Sequence, residues 1–121
     1  MKFILMFLSV IFVSCHTVPN YIEKEYILSE KIEEVLTFHS NISYVSRMEL
    51  IIEGSVSNSI LFVYRHQPFD DDSRKSEKKV ILNGNIKEII QSDWYEPECL
   101  IQFIPENPNT TGKIILKYRV Y

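Results

Sequence analysis

Near the end of the sequence, Ile114, Leu116, Tyr118 and Val120 alternate with Lys113, Lys117 and Arg119. A β-strand turns successive side chains to opposite faces, so this alternation specifies a strand with one face in a core and the other in water. The pattern recurs upstream, where Ile42, Tyr44, Met48, Leu50 and Ile52 share one parity and Ser43, Arg47, Glu49 and Glu53 the other. Cys99, Ile101 and Phe103 likewise face away from Gln102. One segment departs from the rule. In SILFVYRH both parities are apolar, Ile60, Phe62 and Tyr64 on one side and Leu61 and Val63 on the other, which predicts a strand covered on both faces and central in its sheet.

Turn chemistry punctuates these runs. Gly54-Ser55-Val56-Ser57-Asn58 predicts a turn, Asn83-Gly84-Asn85 between KVIL and IKEII predicts a hairpin of two short strands, and PENPNTTG predicts the loop of a closing hairpin. Residues 67–79 form a charged, proline-containing insertion. YIEKEYILSEKIEEVLTF fits two patterns: Ile22, Tyr26, Ile32 and Leu36 recur at roughly helical spacing, while Ile32, Val35, Leu36 and Phe38 suit an irregular strand. The strand is the reading adopted. Short strands at regular spacing, without strand-helix alternation, predict an antiparallel two-sheet β-sandwich, immunoglobulin-like or related. No internal repeat interrupts the chain, and 121 residues with 45% hydrophobic content have room for a single domain.

The N-terminus has a different character. Lys2 supplies a positive charge, FILMFLSVIFV is apolar except for Ser9, and small Ser14 precedes Cys15, which is the order of parts in a secretory signal. Residues 3–13 rise about 16 Å as a helix, about half of a bilayer's hydrocarbon core, so the segment is too short for a permanent span. Phe12-Val13-Ser14-Cys15 resembles the lipobox of bacterial lipoproteins, with Phe12 standing where that class usually has Leu. The resemblance implies that Cys15 is lipidated and becomes the first residue. The expected organisation is a signal peptide over residues 1–14, a lipid-anchored tether over 15–20 and one β-sandwich domain over 21–121. Two or more acyl chains hold a protein on a membrane where one does so only marginally. HTVPN reaches at most about 18 Å when fully extended, so the domain would sit close to the lipid.

That reading predicts a non-catalytic structural or binding protein of the bacterial cell envelope, on the outer membrane where the organism has one. Its expected partners are the membrane through Cys15 and an envelope protein or a glycan. Formal net charge is −3, and loss of Lys2 with the leader makes it more negative, so no nucleic-acid partner is expected. DDDSRKSEKK neutralises itself.

Catalytic signatures are absent from the sequence. His16, His39 and His66 lie far apart without the close His, Cys or Glu pairing of metal sites, and the run Asp70, Asp71, Asp72 lacks the alternating ligands and glycine of a calcium loop. No metal or other cofactor is expected. There is no Gly-x-Ser-x-Gly elbow, and Cys99, mid-strand among apolar neighbours, is expected to be a core thiol without a disulfide partner once Cys15 carries lipid. Glu33-Glu34 and the pair Glu96 and Glu98 are acids of a kind that can flank a glycosidic bond, but solvated faces carry such pairs commonly. A hydrolase is therefore the weakest of the functional readings. The glycosylation-type triplets at Asn41 and Asn109 carry no weight in a bacterial protein.

SDWYEPE is the most informative polar segment, because it sets the single tryptophan, Trp94, beside Tyr95 and ahead of Pro97. Exposed, the two rings would form a stacking platform for sugars or a protein hot spot, the basis of an adhesin or carbohydrate-binding alternative. Turned inward, Trp94 would plug one end of the sandwich. The plug is the expectation adopted.

Overall fold

The computed structural model describes residues 20–38, 47–66 and 77–121. Their strands are β1 (Ile22–Leu28), β2 (Ile32–Thr37), β3 (Arg47–Val56), β4 (Ile60–Arg65), β5 (Lys78–Leu82), β6 (Asn85–Asp93), β7 (Glu98–Pro105) and β8 (Gly112–Val120). Two four-stranded antiparallel sheets pack face to face, one ordered β1-β8-β3-β6 and the other β2-β7-β4-β5. The expected two-sheet sandwich is therefore the architecture, and residues 21–38 supply two strands. Every connection except β4 to β5 carries the chain from one sheet to the other, the order of an eight-stranded jelly roll rather than of the seven-stranded immunoglobulin sandwich.

This crossing pattern corrects both expected hairpins. KVIL and IKEII do not pair with each other: β5 is an edge of one sheet and β6 an edge of the other, so Asn83-Gly84 turns a corner between sheets. In the same way β7 pairs with β2 and β4, while β8 pairs with β1 and β3. The expected turn over residues 54–58 also begins later, because β3 continues through Gly54 to Val56 and bends at Ser57 and Asn58. Gly54 serves a close approach instead. It has φ +144°, and a Cβ there would stand 2.0 Å from the Lys113 carbonyl oxygen, while a Cβ on Gly112 would stand 2.2 Å from that of Ser55. Two backbones meet at a distance that only glycine permits.

Side-chain parity follows the alternation wherever the residues are described. Met48, Leu50 and Ile52 of β3, Ile60, Phe62 and Tyr64 of β4, Cys99, Ile101 and Phe103 of β7, and Ile114, Leu116, Tyr118 and Val120 of β8 fill the core between the sheets. Ile42 and Tyr44 lie outside the described residues. β4 is interior to its sheet, between β7 and β5, with Val63 buried on its second face. Lys24 and Tyr26 of edge strand β1 reach the Glu34 carboxylate of edge strand β2, closing that side of the sandwich with inward-turned polar groups. Inward charge on an edge discourages the addition of a further strand.

Candidate functional site

Connectivity sorts the molecule into two ends. At one of them, here the entry end, β1, β3, β5 and β7 begin and β2, β4, β6 and β8 finish. Tyr21 leads into β1 there, and Arg47 and Tyr121 exchange two backbone hydrogen bonds of 2.9 and 2.8 Å. The other, the turn end, holds the bends at Ser29–Glu30, Ser57–Asn58 and Gly84 and the loop between β7 and β8.

Trp94 and Tyr95 both lie at the entry end but do not form a shared platform. Trp94 is 0% exposed and Tyr95 73%. The indole packs against His66, ring centroids 3.9 Å apart and nearly parallel, and lies 6.4 Å from the Tyr64 ring. Its Nε1–H donates to the Glu98 carbonyl at 3.2 Å, so burial leaves no indole donor unsatisfied. Trp94 thus folds inward as a plug. Of the two rings, only Tyr95 presents an accessible face in this arrangement. Phe38 N–H donates to the Pro97 carbonyl at 2.8 Å, tying β2 to the same turn and leaving Tyr95 standing out from a fixed base.

His66, the one histidine among the described residues, lies 3.6 Å from the Glu96 carboxylate and against Trp94. Asp70, Asp71 and Asp72, with His16 and His39, fall outside the described residues. Among those described, no group of three His, Cys, Asp or Glu side chains is placed to hold a metal ion. Cys99 is fully buried, and burial pushes its thiol up to about 12, which keeps it protonated and unreactive at neutral pH. Cys15 lies outside the described residues.

The alternation pattern did not reveal the cluster around Glu49. Parity puts this residue on the outer face of β3, yet it is only 5% exposed. Tyr21 donates its hydroxyl to Oε1, Gln91 Nε2 donates to Oε2 at 2.8 Å, and Arg119 donates to Oε1 at 3.1 Å. The guanidinium also lies over the Tyr21 ring at 4.1 Å and the Tyr121 ring at 5.0 Å. The Tyr21 hydrogen bond is the main reason the carboxyl titrates below its ordinary 4.5; Gln91 and Arg119 add to the effect against burial, which opposes it. The same bond raises the tyrosine hydroxyl. The available signal was Glu49, Gln91 and Arg119 at corresponding positions of three neighbouring strands, visible only once the register is known. The cluster ties Tyr21, directly before β1, to residues of β3, β6 and β8.

A polar cleft of about 220 Å³ lies elsewhere, on the outer face of the β2-β7-β4-β5 sheet, lined by Lys31, Arg65, Glu77, Gln102 and Ile104. Arg65 and Glu77 pair across it at 3.5 Å.

No family model and no curated protein matches the sequence. Among solved structures, that of a Yersinia pseudotuberculosis-derived mitogen (YPM) is similar, with 13% sequence identity and a TM-score of 0.46 over 86% of this chain and 88% of that one.

Proposed function

We propose that this chain is a lipid-anchored lipoprotein of the bacterial cell envelope with a non-catalytic structural or binding role. One observation carries the reading: a short apolar run ending in Ser14-Cys15, followed by only five residues before Tyr21, whose hydroxyl bonds to Glu49. The contacts of Tyr21 with Glu49 and Arg119 are compatible with it, because they tie the chain just before edge strand β1 to β3 and β8 as well. The burial of Cys99 supports it too, since an enclosed thiol is no partner for Cys15 and leaves that residue available for acylation.

The test is fatty-acid labelling in a bacterial host. The wild-type chain incorporates the label and sediments with membranes, and Cys15→Ser abolishes both. Wild-type protein recovered in the soluble fraction with an unmodified Cys15 thiol would overturn the proposal.

A further inference from the structure

Asn83-Gly84 turns the corner from β5 to β6, and Asn83, Gly84 and Asn85 are all exposed. The pair is chemically vulnerable. The backbone nitrogen of the residue after an asparagine can close a five-membered ring onto the carboxamide carbon, and a side chain on that residue stands in the way of the closure. Glycine carries none.

The corner leaves both reacting groups open. A Cβ built on Gly84 meets nothing within 4 Å, so there is room beside its nitrogen. Among the described residues, no partner holds the Gly84 N–H or the Asn83 carboxamide; it is the Gly84 carbonyl that is engaged, accepting the Val56 N–H at 2.9 Å. The other asparagines differ. None precedes a glycine: Tyr21, Ser59, Ile86 and Thr110 follow Asn20, Asn58, Asn85 and Asn109 with side chains of their own, and Pro108 after Asn107 has no N–H to lose. The Asn58 carboxamide also donates to Ser57 Oγ at 3.4 Å.

We infer that Asn83 is a site of spontaneous deamidation in the folded protein, and that its product loosens the turn end of the sandwich. The Gly84 nitrogen gives up its proton and forms a bond to Asn83 Cγ, the carboxamide nitrogen leaves as ammonia, and a succinimide results. Water then adds to one ring carbonyl and breaks its bond to the Gly84 nitrogen. Opening at Cγ gives aspartate on an ordinary backbone; opening at the Asn83 backbone carbonyl gives isoaspartate, whose main chain runs through the former side chain. Water is the only co-reactant, and nothing is oxidised or reduced. Isoaspartate lengthens the backbone by one methylene between β5 and β6, immediately before the Gly84 carbonyl that Val56 uses.

The experiment incubates the folded full-length chain in warm, mildly alkaline buffer, maps amide-to-acid conversion by peptide mass spectrometry, and counts isoaspartate by enzymatic methylation of its free α-carboxylate. Conversion is expected at Asn83 ahead of every other asparagine, with isoaspartate the major product. Hydrogen exchange at Val56 should then be several-fold faster in the isoaspartyl protein, with exchange at Phe38 unchanged. Asn83→Gln, incubated alongside, should keep the original exchange at Val56, and Gly84→Ala should slow conversion many-fold. Asn83 that stays intact in the folded chain while the urea-unfolded chain converts there overturns the site, because the fold then holds the two atoms apart. Aspartate without isoaspartate, or an unchanged rate in Gly84→Ala, overturns attack by the Gly84 nitrogen. Unchanged exchange at Val56 in the isoaspartyl protein overturns the effect on the turn end.

Discussion

The two ends of the sandwich are closed by different means. At the turn end the closure is backbone: Val56 N–H bonds to the Gly84 carbonyl at 2.9 Å, Ser57 N–H to that of Thr111 at 2.8 Å and Glu106 N–H to that of Ser59 at 3.2 Å. Two glycines let β3 and β8 approach where no side chain fits. At the entry end backbone bonds between Arg47 and Tyr121 and from Phe38 to Pro97 are joined by a side-chain closure, with Trp94, Tyr64, Phe38 and Tyr118 filling the gap between the sheets and the Glu49 cluster pinning the outer face. A backbone closure has no slack, whereas a side-chain closure fails by amounts that follow the group removed. Substitutions at the two ends therefore differ in severity for reasons that can be separated.

The largest effect is expected from Gly54→Ala. An added methyl would overlap the Lys113 carbonyl in a backbone region that other residues rarely adopt, so the loss should exceed about 4 kcal/mol, in the range of exceptional single substitutions. Chemical denaturation measures it, and a loss near 1 kcal/mol, roughly that of an ordinary surface change, would mean that β3 and β8 are not locked together.

Next comes Trp94→Ala at the entry end, a large-to-small core change that should cost about 3–5 kcal/mol. An unchanged melting temperature would show that the indole is not the plug. Because the turn end is closed independently, Trp94→Ala should leave hydrogen-exchange protection at Val56 and Ser57 greater than at Phe38 in the surviving folded protein.

Glu49→Ala follows, expected to cost about 2 kcal/mol, because Tyr21, Gln91 and Arg119 lose a shared ionised acceptor while Arg119 keeps some access to water. This position also has a pH signature. The folded state holds the carboxyl below 4.5, so it binds fewer protons than the unfolded chain. Its contribution is complete above that value and is lost as pH falls from 4.5 toward the lowered folded value. Glu34 behaves in the same direction: burial works to raise its carboxyl, but hydrogen bonds from Lys24 and Tyr26 bring it below 4.5. Acid titration of stability should thus lose part, not all, of its slope in Glu49→Ala. An unchanged slope would show that the Glu49 cluster does not hold the ionised form.

The smallest effect sharpens the first. Gly84 also has positive φ, +59°, but a Cβ there meets nothing within 4 Å. Gly84→Ala should cost only about 1 kcal/mol, the backbone penalty alone. Denaturation curves in which Gly84→Ala and Gly54→Ala coincide would remove steric contact as the cause at Gly54.

Much of the fold was legible because parity is local. Which side of β3, β4, β7 and β8 enters the core follows from neighbours two residues apart, so Met48, Leu50, Phe62, Cys99, Phe103, Leu116 and Tyr118 were assigned correctly without knowing any partner strand. Trp94 was not resolved in this way: a turn feeding the strand that starts at Glu98 put the ring near the sheet edge but suited both a plug and an exposed platform, and only the packing of the two sheets shows it buried. Asn83-Gly84-Asn85 was less informative, because the same turn residues suit a hairpin and a corner between sheets. The choice between them depends on Ile86 and Leu82 lying in opposite layers of one core.

By itself, then, the sequence determined the all-β class, the inward face of each described alternating strand and the inert setting of Cys99. Tertiary structure alone decided the pairing. It sent consecutive strands to opposite sheets, turned Gly54 from a presumed turn residue into a crossing point, and gathered Tyr21, Glu49, Gln91 and Arg119, up to 98 residues apart in the chain, around one carboxylate. The physical reason is range. Alternation is imposed by the geometry of each strand on its own residues, whereas pairing and the burial of a polar group on an outer face depend on which distant strands the whole core brings side by side.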